Sequence, residues 1–409
     1  MLDKNSMIAD LHIHSRFSMA CSRNITFENL VKWAKIKGLN LLGTGDFTHP
    51  EWFEEIKKLK SNGKGFFYYG DFPFIITGEI SLIYTQGRGR RVHLNLLIPN
   101  IEIAEKIHVY LDTKGRRDYD GRPIFGISCE EFVEEMTNIS KDIEIIPAHI
   151  WTPWFGVFGS MSGFDSLKEA FGKQFENIHA IETGISSDPE MNWKIKELEN
   201  KSIVSFSDAH SFWPFRLGRE ATIFKDADSY KEIIRQIRAN DFIGTIETNP
   251  AYGKYHWDGH RGCNFSCGPE KTKELNNICP VCNKGLIIGV ENRVEELSSE
   301  DSLHKIKKKY CTLLPLHEII SLWLGAGMQS KKVWDVYNFL IKEFGNEFNI
   351  LLNVSRDDFV REDVDTLKGT SAKLVGLILK NRNGNIKVKP GYDGEYGVAQ
   401  IGEGQEKLF

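Results

Sequence analysis

The chain opens on an apolar run, Met7 to Ile13, that ends in the alternation Asp10-Leu11-His12-Ile13-His14. Similar short apolar runs recur at Asn40–Thr44, Phe74–Gly78, Glu144–Ala148, Ala180–Glu182, Ile203–Phe206 and Ile243–Ile246, and each reads as a strand. Between them apolar residues fall at helical spacing over Phe27–Lys37, Glu51–Leu59, Ile101–Leu111, Cys129–Asn138, Asn192–Glu199 and Tyr230–Arg238. Ser128 followed by Glu131 is a capping-box pattern at the start of the fourth of these helices. About seven repeats of strand then helix predict an α/β fold with the strands closed into a distorted barrel, whose chemistry sits at the strands' C-terminal ends.

The pattern changes after residue 250. Tyr252–His260, rich in Gly and His, leads into a set of cysteines. From Pro315 the spacing is helical over Leu316–Leu324, Val333–Phe344, Arg356–Val360 and Thr366–Lys380, and Ile386–Ile401 is short and extended. Four regions are therefore expected: a barrel over 1–250, a small metal module over 251–290, a helical domain over 291–385 and an extended tail over 386–409. Within the first, Trp151–Phe164 is a Gly- and aromatic-rich loop directly after His149. Trp151, Trp154, Phe155 and Phe158 could stack bases or sugars, or form a hydrophobic lid.

A length of 409 residues suits a large barrel with additions, and 41% hydrophobic and 26% charged residues are the composition of a soluble globular protein. No run of apolar residues is long enough to span a bilayer, and Met1–Met7 lacks the succession of a signal peptide, so a cytoplasmic protein without a membrane partner is expected. The formal net charge of −4 excludes a globally basic nucleic-acid binder. Local clusters remain: Arg88, Arg90 and Arg91; Lys114, Arg116 and Arg117; Lys305 with Lys307, Lys308 and Lys309. Such clusters are ordinarily solvated faces.

The strand ends carry the chemistry. His12 and His14 lie two apart and share one side of a strand. Asp46 and His49 follow the second run, Glu79 the third, His149 and Glu182 the next two, and Asp208 and His210 the sixth, while a hairpin arm after Glu79 brings His93. Buried imidazoles and carboxylates cost several kcal/mol each unless paired or metal-bound, so a His or carboxylate at nearly every strand end points to metal. Carboxylate plus imidazole without thiolate suits divalent ions such as Zn or Mn, and this many ligands suits a cluster of the kind that clamps phosphoester hydrolysis. Separately, Cys263, Cys267, Cys279 and Cys282 have the spacing of one tetrahedral structural zinc in a chain where the other cysteines, Cys21, Cys129 and Cys311, are scattered.

The succession from His12-Ile13-His14 through Asp46, Glu79, His93, His149 and Asp208-Ala209-His210 resembles the PHP (polymerase and histidinol phosphatase) family of metal-dependent phosphoesterases, over roughly residues 7–250. The resemblance implies a distorted (β/α)7 barrel. It implies one metal on His12, His14, Glu79 and Asp208, with Asp208, Glu79 and His12 catalytic. Glu79 would bridge to a second metal on His93 and His149, and a third would use His210 with His49 or Asp46. The chain departs from the commonest family pattern at Phe47 and Ala20, where many members carry further histidines.

A PHP barrel followed by a four-cysteine module and a helical region resembles the endonuclease Q family. The stretches Tyr255-His256-Trp257-Asp258-Gly259-His260-Arg261, Leu314-Pro315-Leu316-His317-Glu318-Ile319-Ile320 and Pro390-Gly391-Tyr392-Asp393-Gly394-Glu395-Tyr396-Gly397 add to the likeness. It implies DNA repair: a metal-dependent (Zn, Mg or Mn) nick on the 5′ side of uracil, hypoxanthine, xanthine or an abasic site, leaving 3′-hydroxyl and 5′-phosphate ends. In that light Arg88 and Arg116 become phosphate contacts and the aromatic loop a wall for an extruded base. Gln405-Glu406-Lys407-Leu408-Phe409 resembles the tails that bind sliding clamps, or is a frayed polar terminus. The rival reading is a phosphatase of a small phosphomonoester, which needs the same metals and neither the cysteine module nor the helical region.

Overall fold

The computed structural model describes residues 6–360 and 372–400. The Gln405–Phe409 motif and the first part of the helix expected from Thr366 lie outside them.

Ser6–Asp10 (β1) pairs in parallel with Leu41–Gly43 (β2), and β2 in parallel with the start of the long strand Phe72–Gln86 (β3). Gly87, at a φ of 70°, turns β3 back into Arg88–Ile98 (β4), which pairs antiparallel with it and places Ser81 opposite His93. Next in the sheet is Glu144–Pro147 (β5), antiparallel to β4. Ala180–Glu182 (β6) and Ser202–Val204 (β7) form a parallel pair. That pair is tied to β5 by Ile150 N–H donating to Glu182 O at 3.1 Å, and to the end of β1 by His14 N–H donating to Ala209 O at 3.0 Å. Ala221–Lys225 (β8) lies antiparallel to β1, Gly244–Glu247 (β9) antiparallel to β8, and Lys309–Thr312 (β10) parallel to β9.

The class is mixed α/β, as the pattern predicts, but strands and helices do not alternate one for one. Antiparallel β4 and β8 interrupt the repeat, and β10 joins the sheet from far beyond residue 250.

The helices form where caps and apolar spacing coincide. Phe27–Lys37 (α1) begins at Thr26, whose side chain accepts from Asn29 N–H, and ends at Gly38 in a left-handed conformation. Ile101–Lys114 (α2), Cys129–Ile139 (α3) and Tyr230–Arg238 (α4) are capped by Asn100, Ser128 and Ser229, and Ser128 accepts from Glu131 N–H as the capping box predicts. The helix expected over Asn192–Glu199 is absent. Asp188 caps and Pro189 opens a short helix, Pro189–Asn192, three residues earlier. Buried Asn192 then ends it, donating from Nδ2 to Ser187 Oγ at 3.1 Å and accepting Trp151 Nε1–H on Oδ1 at 2.8 Å.

After the sheet comes a small hairpin, Asp258–His260 against Phe265–Cys267, and a knuckle in which Cys279 N–H donates to Lys284 O at 2.8 Å. The helical region contains Leu316–Leu324 (α5), Lys331–Phe344 (α6), Glu347–Leu352 (α7) and Ala372–Arg382 (α8). The antiparallel strands Lys387–Lys389 and Val398–Gln400 close the described chain, and Gly391 between them donates its N–H to Ala251 O at 2.9 Å. No helix among the described residues is long and apolar enough to cross a membrane.

Candidate metal centre

The segments after β1 and β5, the middles of β3 and β4 and the loop after β7 bring their imidazoles and carboxylates to one point; Glu79 and His93 thus stand within long strands and not at strand ends as expected. His12 and His14 are buried, and so is Glu79. His12 Nε2 lies 3.7 Å from both Glu79 Oε1 and Asp208 Oδ1 and has no hydrogen-bond partner, although it is shielded from solvent. His14 Nε2 lies 2.8 Å from Asp208 Oδ1 and 3.5 Å from Glu79 Oε2. On the other side of Glu79, His93 Nδ1 is 2.7 Å and His149 Nε2 3.1 Å from Oε1. The ligand atoms of His12, His14, Glu79 and Asp208 thus lie within 4.8 Å of one another, as do those of Glu79, His93 and His149. Glu79 belongs to both groups.

These residues fit divalent ions. An unsatisfied buried nitrogen such as His12 Nε2 is costly as an orphan and natural as a ligand. The far nitrogens are held as metal-binding histidines require. His12 Nδ1 faces Glu182 Oε1 at 2.9 Å, and Glu182 Oε2 also accepts His149 N–H at 2.8 Å. His14 Nδ1 faces Asp46 Oδ1 at 2.9 Å, while Asp46 Oδ2 accepts Ser15 N–H at 2.6 Å and Ser18 Oγ–H at 2.9 Å.

Electrostatics point the same way. Burial alone would lower both histidines. The carboxylates of Glu182, Glu79 and Asp208 overcome it and push His12 up to about 9, and Asp46 and Asp208 push His14 up to about 10. Despite desolvation, His93, Arg122 and His149 hold Glu79 well below the usual carboxylate range, as His210, His14 and His12 do for Asp208. The negative charge gathered here calls for cations, which metal ions would supply in place of protons.

Asp46, His149 and Asp208 all take positive φ (43°, 31° and 49°), rare for side-chain-bearing residues and common where a site over-determines the backbone.

Other predicted residues fall differently. Asp46 reaches the centre only from behind His14. His49 stacks on Phe17 at 4.2 Å, with its Nδ1 buried and unpartnered. His210 Nδ1 faces the Asp208 carbonyl at 2.8 Å, and its ring lies 4.6 Å from that of His14. Asp46, His49 and His210 do not converge as a third set. Trp151 and Phe158 are core residues, 1% and 0% exposed, packed together at 4.9 Å, and cannot present a face to a ligand. Trp154 and Phe155 are half-buried. Arg116 is exposed and paired with Asp118 at 2.9 Å, and Arg88, at the hairpin tip, donates to Gly163 O at 2.9 Å.

Arg122 is a site residue that the sequence does not advertise: its Nη1 donates to Glu79 Oε2 at 3.2 Å. Its loop, Asp120-Gly121-Arg122-Pro123, is held against the centre, and a side chain at Gly121 would come within 2.3 Å of Asp46 Oδ2. The Asp-Gly pair, a turn signal, is the one local hint of that close approach.

The cysteine module also differs from expectation. His260, Cys263, Cys279 and Cys282 bring their ligand atoms together, with His260 Nδ1 3.2 Å from Cys263 Sγ and 3.3 Å from Cys282 Sγ. Cys267 is not in this group. In the hairpin His260 pairs with Phe265 beside the turn, whereas Cys267 pairs with Asp258 two rungs away, so the knuckle meets His260. Cys267 Sγ lies instead 3.2 Å from Thr272 Oγ1.

Fold and site together define an α/β protein with a shared-carboxylate centre fit for two divalent ions, a cysteine–histidine module and a helical C-terminal region. The chain is 32% identical, with a TM-score of 0.86, to the crystal structure of the lesion-specific endonuclease PfuEndoQ from Pyrococcus furiosus, covering 97% of this chain and 96% of that one. A structure of Endonuclease Q with a 27-mer duplex carrying an abasic lesion at the active site matches at the same TM-score and identity, over 97% of each chain. The protein belongs to the endonuclease Q family. The family described as the MJ0043 C-terminal domain matches residues 315–385. The uncharacterized protein MJ0043 of Methanocaldococcus jannaschii is 33% identical over 290 residues, which are 69% of this chain and only 34% of that protein. The uncharacterized protein YqxK of Bacillus subtilis is 25% identical over 95% of this chain and 98% of its own length.

Proposed function

We propose that this chain is a DNA repair endonuclease with a PHP-type metal centre. It hydrolyses the phosphodiester 5′ of deaminated bases (uracil, hypoxanthine or xanthine) and of abasic sites. The observation that carries the reading is Glu79, shared by two ligand groups at the centre of a chain that aligns almost end to end with a lesion-specific endonuclease.

Divalent ions held by His12, His14, Glu79 and Asp208 and by Glu79, His93 and His149 would supply Lewis acidity and an activated water. The chain's own residues prepare that chemistry. Glu182 and Asp46 fix the orientation of His12 and His14 from behind, and Arg122, half-buried beside Glu79, offers a cation to a phosphate entering the centre. Arg88 and Arg116, on the surface, suit contacts to the DNA backbone farther out.

The test is a duplex end-labelled on the damaged strand, with a single uracil or hypoxanthine, incubated with Mg or Mn. A nick immediately 5′ of the lesion, absent with Asp208→Asn, is the expected result. No nick, together with phosphate release from a small phosphomonoester, would move the chain to the phosphatases.

The thiolate-rich set His260, Cys263, Cys279 and Cys282 suits a structural zinc, which would fold a module with little core of its own. His260→Ala is expected to lose about one equivalent of tightly bound zinc, and Cys267→Ala to keep it, as read by metal analysis after dialysis. The opposite pattern would restore the four-cysteine assignment.

A further inference from the structure

Two buried carboxyl groups, Glu220 and Glu247, face each other outside the metal centre. In the antiparallel pairing of β8 with β9, Ala221 lies opposite Ile246 and Thr222 opposite Thr245, so the next residues outward, Glu220 and Glu247, come into register. Glu247 is fully buried and Glu220 is 2% exposed. Each is half satisfied. Glu247 Oε2 accepts the hydroxyls of Thr183 at 3.0 Å and Ser205 at 2.9 Å, and Glu220 Oε1 accepts Thr248 N–H at 3.0 Å. Glu247 Oε1 and Glu220 Oε2 are shielded from solvent and have no hydrogen-bond partner among the described residues.

Two negative charges so placed would be costly, since like charges directly opposite across a strand pair repel and a buried carboxylate gives up its hydration. Arg219 eases this only in part. It turns to Glu318, its Nη1 2.9 Å from Oε1, and donates from Nε to Thr248 Oγ1 at 3.2 Å. The groups that act on the pair from the other elements add negative charge or none: Glu182 at the end of β6, Asp188 in the loop beyond it, and Tyr310 and Cys311 on β10, whose phenol and thiol stay protonated. Burial pushes the Glu247 carboxyl up to about 8, and burial with the Glu247 charge opposite raises Glu220 well above the usual carboxylate range.

We propose that Glu220 and Glu247 meet through a shared proton, and that Glu247 so held is a positioning residue for the metal centre. A carboxylic acid donates where a carboxylate cannot, so one proton between Glu247 Oε1 and Glu220 Oε2 satisfies both free oxygens and removes a charge. What the pair holds is specific. Thr183 follows Glu182, which orients His12, and Ser205 lies three residues before Asp208. Glu247 thus ties the chain just after β6 and just after β7, the two segments that carry those residues, to the end of β9. Loss of the proton sets two charges against each other between β8 and β9 and loosens both segments. Because folding raises the Glu247 carboxyl from 4.5 to about 8, the stability this proton brings is complete below about 4.5 and is lost as pH rises to about 8. The inference goes beyond the endonuclease reading and rests on it only where nicking is the readout.

Glu247→Gln, uncharged and of the same shape, imitates the acid form and supplies the test. Denaturant unfolding of wild type, Glu247→Gln and Glu220→Gln is followed across neutral pH, together with tightly bound metal and nicking of a uracil duplex. One proton held only in the folded state raises the unfolding constant about tenfold per pH unit, so wild type is expected to show that extra slope over Glu247→Gln between about pH 5 and about pH 8 and to be the less stable of the two above it. Near neutral pH, nicking and metal content of Glu247→Gln should match wild type. At higher pH, wild type should lose nicking and metal from the His12 group while Glu247→Gln keeps both. Parallel pH dependence of unfolding in wild type and both glutamine variants would overturn the shared proton, and so would failure of both variants to fold, since an amide fits the acid form. Lower stability of Glu247→Gln at every pH, with loss of an equivalent of metal, would put a cation between the carboxylates instead. Nicking and metal equally pH-sensitive in wild type and Glu247→Gln would overturn the link to the metal centre. If wild type nicks no uracil duplex at any pH, the endonuclease reading fails while the unfolding comparison still decides the pair.

Discussion

Glu79→Gln is expected to abolish lesion cleavage and to strip metal from both ligand groups at once. The side chain is buried, with one oxygen against His93 Nδ1 and His149 Nε2 and the other against His14 Nε2 and Arg122 Nη1. An amide of the same shape keeps the volume but loses the charge and turns one acceptor into a donor facing those nitrogens. The rate should fall by at least about 10²–10³-fold, the scale on which a single electrostatic stabiliser acts in a reaction centre. Metal content separates this from a local effect. Asp208→Asn touches only the group with His12 and His14 and should leave the His93–His149 ion in place, whereas Glu79→Gln should lower both. Metal analysis of dialysed protein, paired with nicking rates, reads the difference. If Glu79→Gln retained as much metal as Asp208→Asn, the two groups would not share a ligand as the geometry has it.

Glu79 is legible in the sequence while Arg122 and His260 are not, because the three residues answer to different forces. His12 and His14 alternate just beyond β1, and Glu79, His149 and Asp208 each follow an apolar run, so local pattern marks them as candidates although the backbone beyond it sets their final direction. Glu182 closes a run too, yet its role behind His12 depends on a side-chain contact 170 residues apart in sequence, between the end of β6 and the segment after β1, which no local pattern encodes. The basic loop shows the same limit. Arg116 and Arg117, the conspicuous cations, pair with exposed Asp118 and Asp112, and the single Arg122 turns inward to Glu79. In the metal module, cysteine spacing implies four thiolates, but the hairpin register brings His260 to the knuckle in place of Cys267. Strand β8 goes unsignalled because Ala221–Lys225 is short and its partner, β1, lies more than 200 residues earlier. Tertiary pairing decides what propensity leaves open there.

Lys37→Ala is expected to be the most destabilising single change outside the metal centre, through the joint between the sheet domain and the helical region. Lys37 ends α1 and is 1% exposed. Its Nζ donates to Glu347 Oε1 and to Pro214 O, each at 2.7 Å. Glu347, fully buried at the start of α7, also accepts Leu316 N–H at 3.0 Å and Tyr337 OH at 2.8 Å, so one carboxylate gathers α1, α5 and α6. Removing the ammonium leaves a buried carboxylate with neutral donors only, a loss of about 3–5 kcal/mol when one partner of a buried pair is deleted. In thermal unfolding this corresponds to a fall in Tm on the order of 5–10 °C. The double change Lys37→Met with Glu347→Gln should recover much of the loss, because the amide oxygen can still accept Leu316 N–H while its NH2 donates to the Tyr337 oxygen, and no unpaired charge remains. That recovery, measured as a double-mutant cycle, distinguishes an electrostatic joint from simple packing of the lysine stem. Purely additive losses would mean that the stem matters and the pair does not. Pro214 lies only four residues beyond His210, so the same contact anchors the loop that carries Asp208. The helical region, tied to this loop through Lys37, thereby braces the metal centre from outside it. Lys37→Ala should accordingly retain its metal at low temperature and lose it on warming before the sheet domain unfolds.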